Sequence, residues 1–396
     1  MILALLILNW LIVLFWTWRI LSALRNLPQV PNLLDPYYAQ PFEFSPLPLI
    51  SVIVPACNEE THIEATLRSL LSIESVPIEI FAIDDRSTDA TGAILDRVAA
   101  ETDRISAYTK RLTVLHVTHL PAGWMGKTHA MALAARQATT PWLLFTDADV
   151  LFSPDSLLRA VNFAQAERAD HVVIFPTLVL KTFGARMMIA IFQLFGTLAA
   201  PPWHVPDPNS RDSIGIGAFN LIRANVYRAI GEYESLRMEV VEDVRLGVEV
   251  KRAGYRQRVA FGHGLLRLRW AEGTRHFIRN VTKNFFAIFR FRALPAFIAC
   301  AALIIFCLGP IAALAGPLSL RIPAALLLLM LFFFYRYFRR HNGIPPAYFL
   351  TFPIAAALLI YALLRSVLVT LVRGGVSWRG TFYPLSELRK NSGPPR

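Results

Sequence analysis

Apolar and polar positions along this chain fall into three textures. Met1 to Trp18 carries no charged side chain and is followed by Arg19 and Arg25, the pattern of a spanning helix with its basic end in the cytosol. The basic residues come after the apolar stretch and no small-residue cleavage site is evident, so residues 1–24 read as an anchor rather than a removed leader. Residues 25–48 are rich in proline and polar side chains and read as a linker.

The second texture alternates short β-branched runs with amphipathic stretches. Strands are predicted at Ile50 to Pro55, Ile78 to Ile83, Leu112 to Val117 and Trp142 to Phe145. Helices are predicted at Glu60 to Leu71, Thr88 to Ala100 and Lys127 to Gln137, and another beginning at Pro154 with Ser153 as its cap. This alternation implies an α/β domain over residues 49–275, a mainly parallel sheet with helices on both faces. Ligands of such sheets bind outside the carboxyl ends of the strands. The polar clusters Asn58-Glu59, Asp84-Asp85 and Asp147/Asp149 stand at those ends.

Beyond Asp170 the alternation loosens. Phe183 to Ala200 is apolar with one charge, Arg186, and is short for a span, which predicts a buried or interfacial helix. Residues 276–293 mix Phe with Lys and Arg, as an amphipathic helix on a membrane surface does. Within residues 294–372 lie three long apolar runs, Leu294 to Gly316, Ile322 to Phe338 and Ala347 to Val372, which with the anchor make four spanning helices. A basic tail, 373–396, follows. If every run crosses once, the tail lies opposite the domain; a re-entrant third run leaves it on the domain's side.

Composition supports the membrane reading: of 396 residues, 55% are hydrophobic, and the mean hydropathy is +0.44. A net charge of +12 raises nucleic acid as a partner. The basic residues, however, gather beside apolar segments, among them Arg275, Arg279, Lys283, Arg339 and Arg340, where anionic headgroups meet them, and no nucleic-acid motif is present. Cys57, Cys300 and Cys307 form no disulfide framework, which suits a cytosolic catalytic region.

Candidate chemistry concentrates in a few short stretches. In an extended backbone Asp147 and Asp149 face one point while Ala148 faces away, a geometry suited to a hard divalent cation; a solvated turn is the bland alternative. Asp84 and Asp85 precede Ser87 and Asp89, so helix capping and nucleotide contact are both open. Gly126-Lys127 opens a helix where phosphate could meet backbone amides, or forms an ordinary turn. Gly215 and Gly217 permit close backbone approach to a ligand, or a strand bend. Glu242 and Asp243 either complement a helix dipole or supply a general base. Arg269-Trp270 offers a guanidinium for phosphate and a ring for a sugar, or an interfacial pair. His263, between glycines and without a partner, reads as structural.

Taken in order, Pro55-Ala56-Cys57-Asn58-Glu59, Asp84-Asp85, Gly126-Lys127, Asp147-Ala148-Asp149, Glu242-Asp243 and Arg269-Trp270 resemble family-2 glycosyltransferases of the GT-A fold. The membrane layout is similar to the ceramide glucosyltransferase branch and its carotenoid and hopanoid relatives, as is the tail Trp378-Arg379-Gly380-Thr381. The resemblance implies an inverting transfer of a sugar from a nucleotide donor, a UDP-hexose, to a lipid hydroxyl at the cytoplasmic face of a bacterial inner membrane. It implies that Pro55, Asn58, Glu59, Asp84, Asp85, Lys127 and Asp147 bind the donor, and that Asp149 with Asp147 holds Mn²⁺ or Mg²⁺. Asp243 would be the base with Glu242 beside it, and Gly215, Gly217, Arg269 and Trp270 would border acceptor and diphosphate. Leu266 stands where the family pattern has Gln or Arg, which counts against a processive polysaccharide synthase, the rival enzyme reading. A non-catalytic membrane scaffold is the rival from another class.

Overall fold

A computed structural model describes residues 2–40, 47–105 and 111–391. Part of the expected linker, 41–46, and the last tail residues, 392–396, lie outside the described residues. The chain opens with helix α1 (Ile2–Asn26) and enters the domain at β1 (Ile50–Ala56). There follow α2 (Ile63–Leu71), β2 (Ile78–Asp85), α3 (Thr91–Ile105), β3 (Arg111–Val117), α4 (Gly126–Gln137) and β4 (Trp142–Phe145). Seven residues of β1 are buried without a break, as expected of a strand covered on both faces.

Next come β5 (Val150–Phe152), α5 (Ser156–Ala166), β6 (His171–Phe175), β7 (Thr177–Leu178) and α6 (Phe183–Ala199). The domain is completed by β8 (Asn220–Arg223), α7 (Ala224–Ala229), α8 (Glu242–Arg252), β9 (Gln257–Phe261) and β10 (Leu266–Leu268). The main sheet runs β3-β2-β1-β4-β8-β6-β9. Every pairing in it is parallel except those of β8, which lies antiparallel between β4 and β6. A smaller sheet, β5-β10-β7, stands beside it. The α5 helix starts at Ser156 rather than Pro154, because the Ser153 hydroxyl donates to Asp155 and its carbonyl takes the Ser156 amide, closing a turn first.

The expected amphipathic helix is two pieces, α9 (Thr274–Thr282) and α10 (Phe285–Ile288), broken at Lys283-Asn284. Then α11 (Ala293–Leu303), a π-helical turn at Ile304–Leu308, α12 (Gly309–Ala313) and α13 (Leu318–Asn342) lead to α14 (Phe352–Arg373). Among the described residues five helical segments are long and apolar enough to cross a membrane; the fifth, beyond the four expected, is Phe183–His204 around α6. The α1 helix packs along α13, and its Trp16 meets both the π-helical turn, through a 2.9 Å hydrogen bond to the Phe306 carbonyl, and Phe352 at the start of α14. So α14 begins level with the middle of α1 and runs back to the domain. The tail then forms a hairpin, β11 (Gly375–Trp378) and β12 (Thr381–Pro384), and helix α15 (Leu385–Asn391), whose Arg389 donates to the Phe291 carbonyl.

Candidate active site

The carboxyl ends of β1, β2 and β4 open on a cavity of about 690 Å³, roofed by α9, the α9–α10 break and the tail hairpin. Its floor is acidic. Lys127, at the start of α4, sets its Nζ 2.6 Å from Asp147 Oδ1 and 2.6 Å from Glu242 Oε1. Burial works against the Lys127 charge, but the carboxylates of Asp147, Glu242 and Asp243 outweigh it and hold the ammonium protonated well above its ordinary range. Lys127 is therefore a tie between Asp147 at the end of β4 and Glu242 at the start of α8, not a lysine free for a ligand phosphate.

Asp243 is aimed by backbone amides: Gly217 N donates to Oδ2 at 2.8 Å and Val244 N to Oδ1 at 2.8 Å. Burial, followed by the charge of Glu242, pushes its carboxyl up to about 7. The loop supplying Gly217 is fastened to the sheet by a buried polar chain. Gln257 on β9 brackets Ile214, accepting from its amide (3.0 Å) and donating to its carbonyl (2.8 Å), and also donates to His171 Nδ1. His171 Nε2 in turn donates to Asn220 Oδ1, and Asn220 holds the Ile216 carbonyl. With both ring nitrogens so engaged His171 is neutral, and burial drives its pKa down to about 4. A methyl on Gly215 would stand 1.7 Å from the Asp243 carbonyl oxygen, and one on Gly217 would stand 2.4 Å from Asp147 Oδ2. Both glycines thus admit the acids rather than line the cavity.

Asp149, partly buried, has its carboxyl pushed up to about 7 by burial and then by Asp147 and Glu59. This set of oxygens is short of positive charge. Of the adjacent pair on β2, Asp85 lines the cavity, paired with Arg86, whereas Asp84 turns to the other face, accepts from Ser87 N and meets His116. Strand alternation forces that split. Pro55 and Glu59 line the cavity; Asn58, at φ 55°, instead stitches the β1 loop to Ser87 and Thr88.

Trp270 lines the cavity, stacked on Phe192 at 5.1 Å, while Arg269 is exposed and points away from it. The cations of the roof come from elsewhere: Arg279, Lys283 and Arg379. Lys283 lies 3.1 Å from the centre of the Trp378 ring, and burial lowers its pKa to about 8. Sequence reasoning missed the hairpin that brings Arg379. The signal was present, an Arg-Gly pair between Val-Ser-Trp and Thr-Phe-Tyr, the spacing of a two-residue hairpin turn. His263 packs between Phe261 and His341, away from the cavity.

Residues 51–211 match the family model described as glycosyl transferase family 2. Over 241 residues, 59% of this chain and 60% of the relative, the chain is 26% identical to 4,4'-diaponeurosporenoate glycosyltransferase of Staphylococcus haemolyticus (strain JCSC1435). The protein of that name from Staphylococcus aureus (strain MRSA252) is 27% identical over 201 residues, half of each chain. The matches thus span between half and three fifths of the length of these curated relatives. Among solved structures, a mannosyltransferase from Pyrobaculum calidifontis in complex with GDP-Man and Mn²⁺ superposes with a TM-score of 0.52 at 19% identity. That match covers 92% of this chain and 97% of the other.

Proposed function

We propose, from the match of residues 51–211 to the glycosyl transferase family 2 model, that the protein transfers a sugar from a nucleotide donor to a membrane-borne lipid, with Asp243 as general base and inversion at the anomeric carbon. One observation carries the reading: Asp147, Asp149, Glu242 and Asp243 converge on a cavity whose roof includes the amphipathic helix α9. A nucleotide sugar would enter across the β1 loop and Asp85, and a lipid would enter from the α9 side, beside Trp270. The carboxyl of Asp243, fixed by two amides and raised toward neutrality, suits taking a proton from an acceptor hydroxyl near pH 7.

Among the described residues no cluster of three metal-ligating side chains occurs. Asp149 and Asp147 supply two hard oxygen donors, and the undercompensated charge at Asp149 fits a divalent cation completed by donor phosphate oxygens. Such a cation would neutralise charge on the departing diphosphate. Glu242 and Lys127 keep Asp147 and the start of α8 in register.

A second reading of the acceptor, a carboxylate, is favoured by a neighbouring cleft between α9 and α14 lined by Arg275, His276, Arg279 and Arg365 against one acid, Glu272. The compound in the relatives' name, 4,4'-diaponeurosporenoate, is of that class. The test is nucleoside-diphosphate release by purified protein with Mn²⁺ or Mg²⁺, a nucleotide-sugar panel and either long-chain alcohols or long-chain acids. Asp243→Asn is expected to lower transfer to an alcohol at least 100-fold while sparing donor binding. Near-normal turnover of the variant with alcohols would remove Asp243 from its role. Transfer only to acids selects the second reading.

A further inference from the structure

We propose that the C-terminal hairpin is a working wall of the donor site, and that its Arg379 binds the donor's diphosphate after release from Glu59. The inference rests on the glycosyltransferase reading and deepens it. Arg379 and Gly380 form the two-residue turn between paired Trp378 and Thr381, with φ of 50° and 79°. A left-handed arginine is disfavoured sterically, and the turn holds it there with its side chain reaching into the cavity. It donates to the Cys57 and Asn58 carbonyls and pairs with the Glu59 carboxylate, spanning the β1 loop that borders the donor cleft.

Three further contacts seat the same hairpin on donor-side elements. Arg86 Nη1 donates to Thr381 Oγ1 at 3.1 Å, Gly126 N donates to the Tyr383 hydroxyl at 3.1 Å, and Lys283 lies over Trp378. The cavity's other cations explain why Arg379 is singled out. Lys127 is committed to Asp147 and Glu242, Arg86 to Asp85 and Lys283 to the Trp378 ring, Arg279 is shared with the neighbouring cleft, and Arg269 lies outside. Arg379 alone of these pairs with an acid whose own position, on the β1 loop, lies where a nucleotide would compete for it. Its fork can exchange one carboxylate for two phosphate oxygens without moving the hairpin.

The experiment uses the full-length protein in detergent with Mn²⁺, the probes UDP and GDP, and their nucleosides uridine and guanosine. Arg379→Gln is expected to weaken the tighter diphosphate at least 10-fold and leave its nucleoside unchanged, with Arg379→Lys recovering part of the loss. Equal loss for nucleoside and diphosphate, or no loss, overturns the assignment. Cys57 gives a readout independent of nucleotide, since Cys300 and Cys307 are buried among the apolar helices. Maleimide labelling of Cys57 at pH 8 should quicken several-fold in Arg379→Gln, and diphosphate should slow it in the wild type. If the wild type binds no nucleotide, the glycosyltransferase reading fails. In that case faster Cys57 labelling in the variant still upholds the hairpin as a wall held by Arg379, and an unchanged rate overturns it.

Discussion

Lys127 shows how one side chain can be structural and still indispensable to chemistry. Its ammonium neutralises Asp147 and Glu242 together, and Glu242 is buried. Lys127→Met should cost about 3 kcal/mol, the lower end for a broken buried pair because Asp147 is one-third exposed. Thermal unfolding in detergent checks this, and added Mn²⁺ should recover more of the loss in the variant than it adds to the wild type. His171 makes the second prediction. Its folded pKa lies below the ordinary value, so its contribution is complete above pH 6.5 and is lost as the pH falls from 6.5 toward 4. The stability gap between wild type and His171→Gln should therefore be largest at pH 7.5 and shrink at pH 5. Both residues were opaque in the sequence for the same reason: Lys127 could be seen at a helix start, but not that acids from β4 and α8 would converge on it. His171 was not singled out at all, since its partners Asn220 and Gln257 are 49 and 86 residues away.

At the level of elements, β1, β2, β3, β4 and α4 fall within two residues of where the pattern puts them, because the strands are apolar runs and α4 an alanine-rich stretch, each bounded by turns. The pieces after Phe145 were harder. Strand β5 has three residues and exists through its pairing with β10, more than 110 residues later. Strand β8 enters the sheet antiparallel between β4 and β6, an insertion that no local pattern encodes. The loop before β8 carries the third prediction. The methyl of Gly217→Ala meets a carboxylate that can swing, so the fold should survive while cation affinity drops at least 10-fold as Asp147 is displaced. Gly215→Ala meets backbone of α8, which cannot yield cheaply, and should lower the yield of folded protein instead. Cation-dependent nucleotide binding and recovery from size-exclusion chromatography separate the two. Equal effects would mean that the loop, not the acids, sets the spacing.

For the whole molecule, the apolar helices and the active site are one packed body. The core that contains α1, α13 and α14 also contains Phe277, Phe286 and Val376, so the apolar helices, the interfacial pieces and the tail hairpin share side-chain contacts. Hydropathy made the long apolar helices legible, but not that α14 starts beside the middle of α1, because that depends on where Trp16 finds Phe306 and Phe352. The start of α14 level with the middle of α1 has a consequence in parity. If α1, α11–α12 and α13 each cross the bilayer while α14 dips in and returns, the crossings number three. An odd number puts the two ends of the chain in different compartments, with the hairpin on the catalytic side. Accessibility tags placed before Ile2 and after residue 396 of the intact protein in sealed vesicles should then be reached from opposite sides, and labelling of both from one side would require an even count.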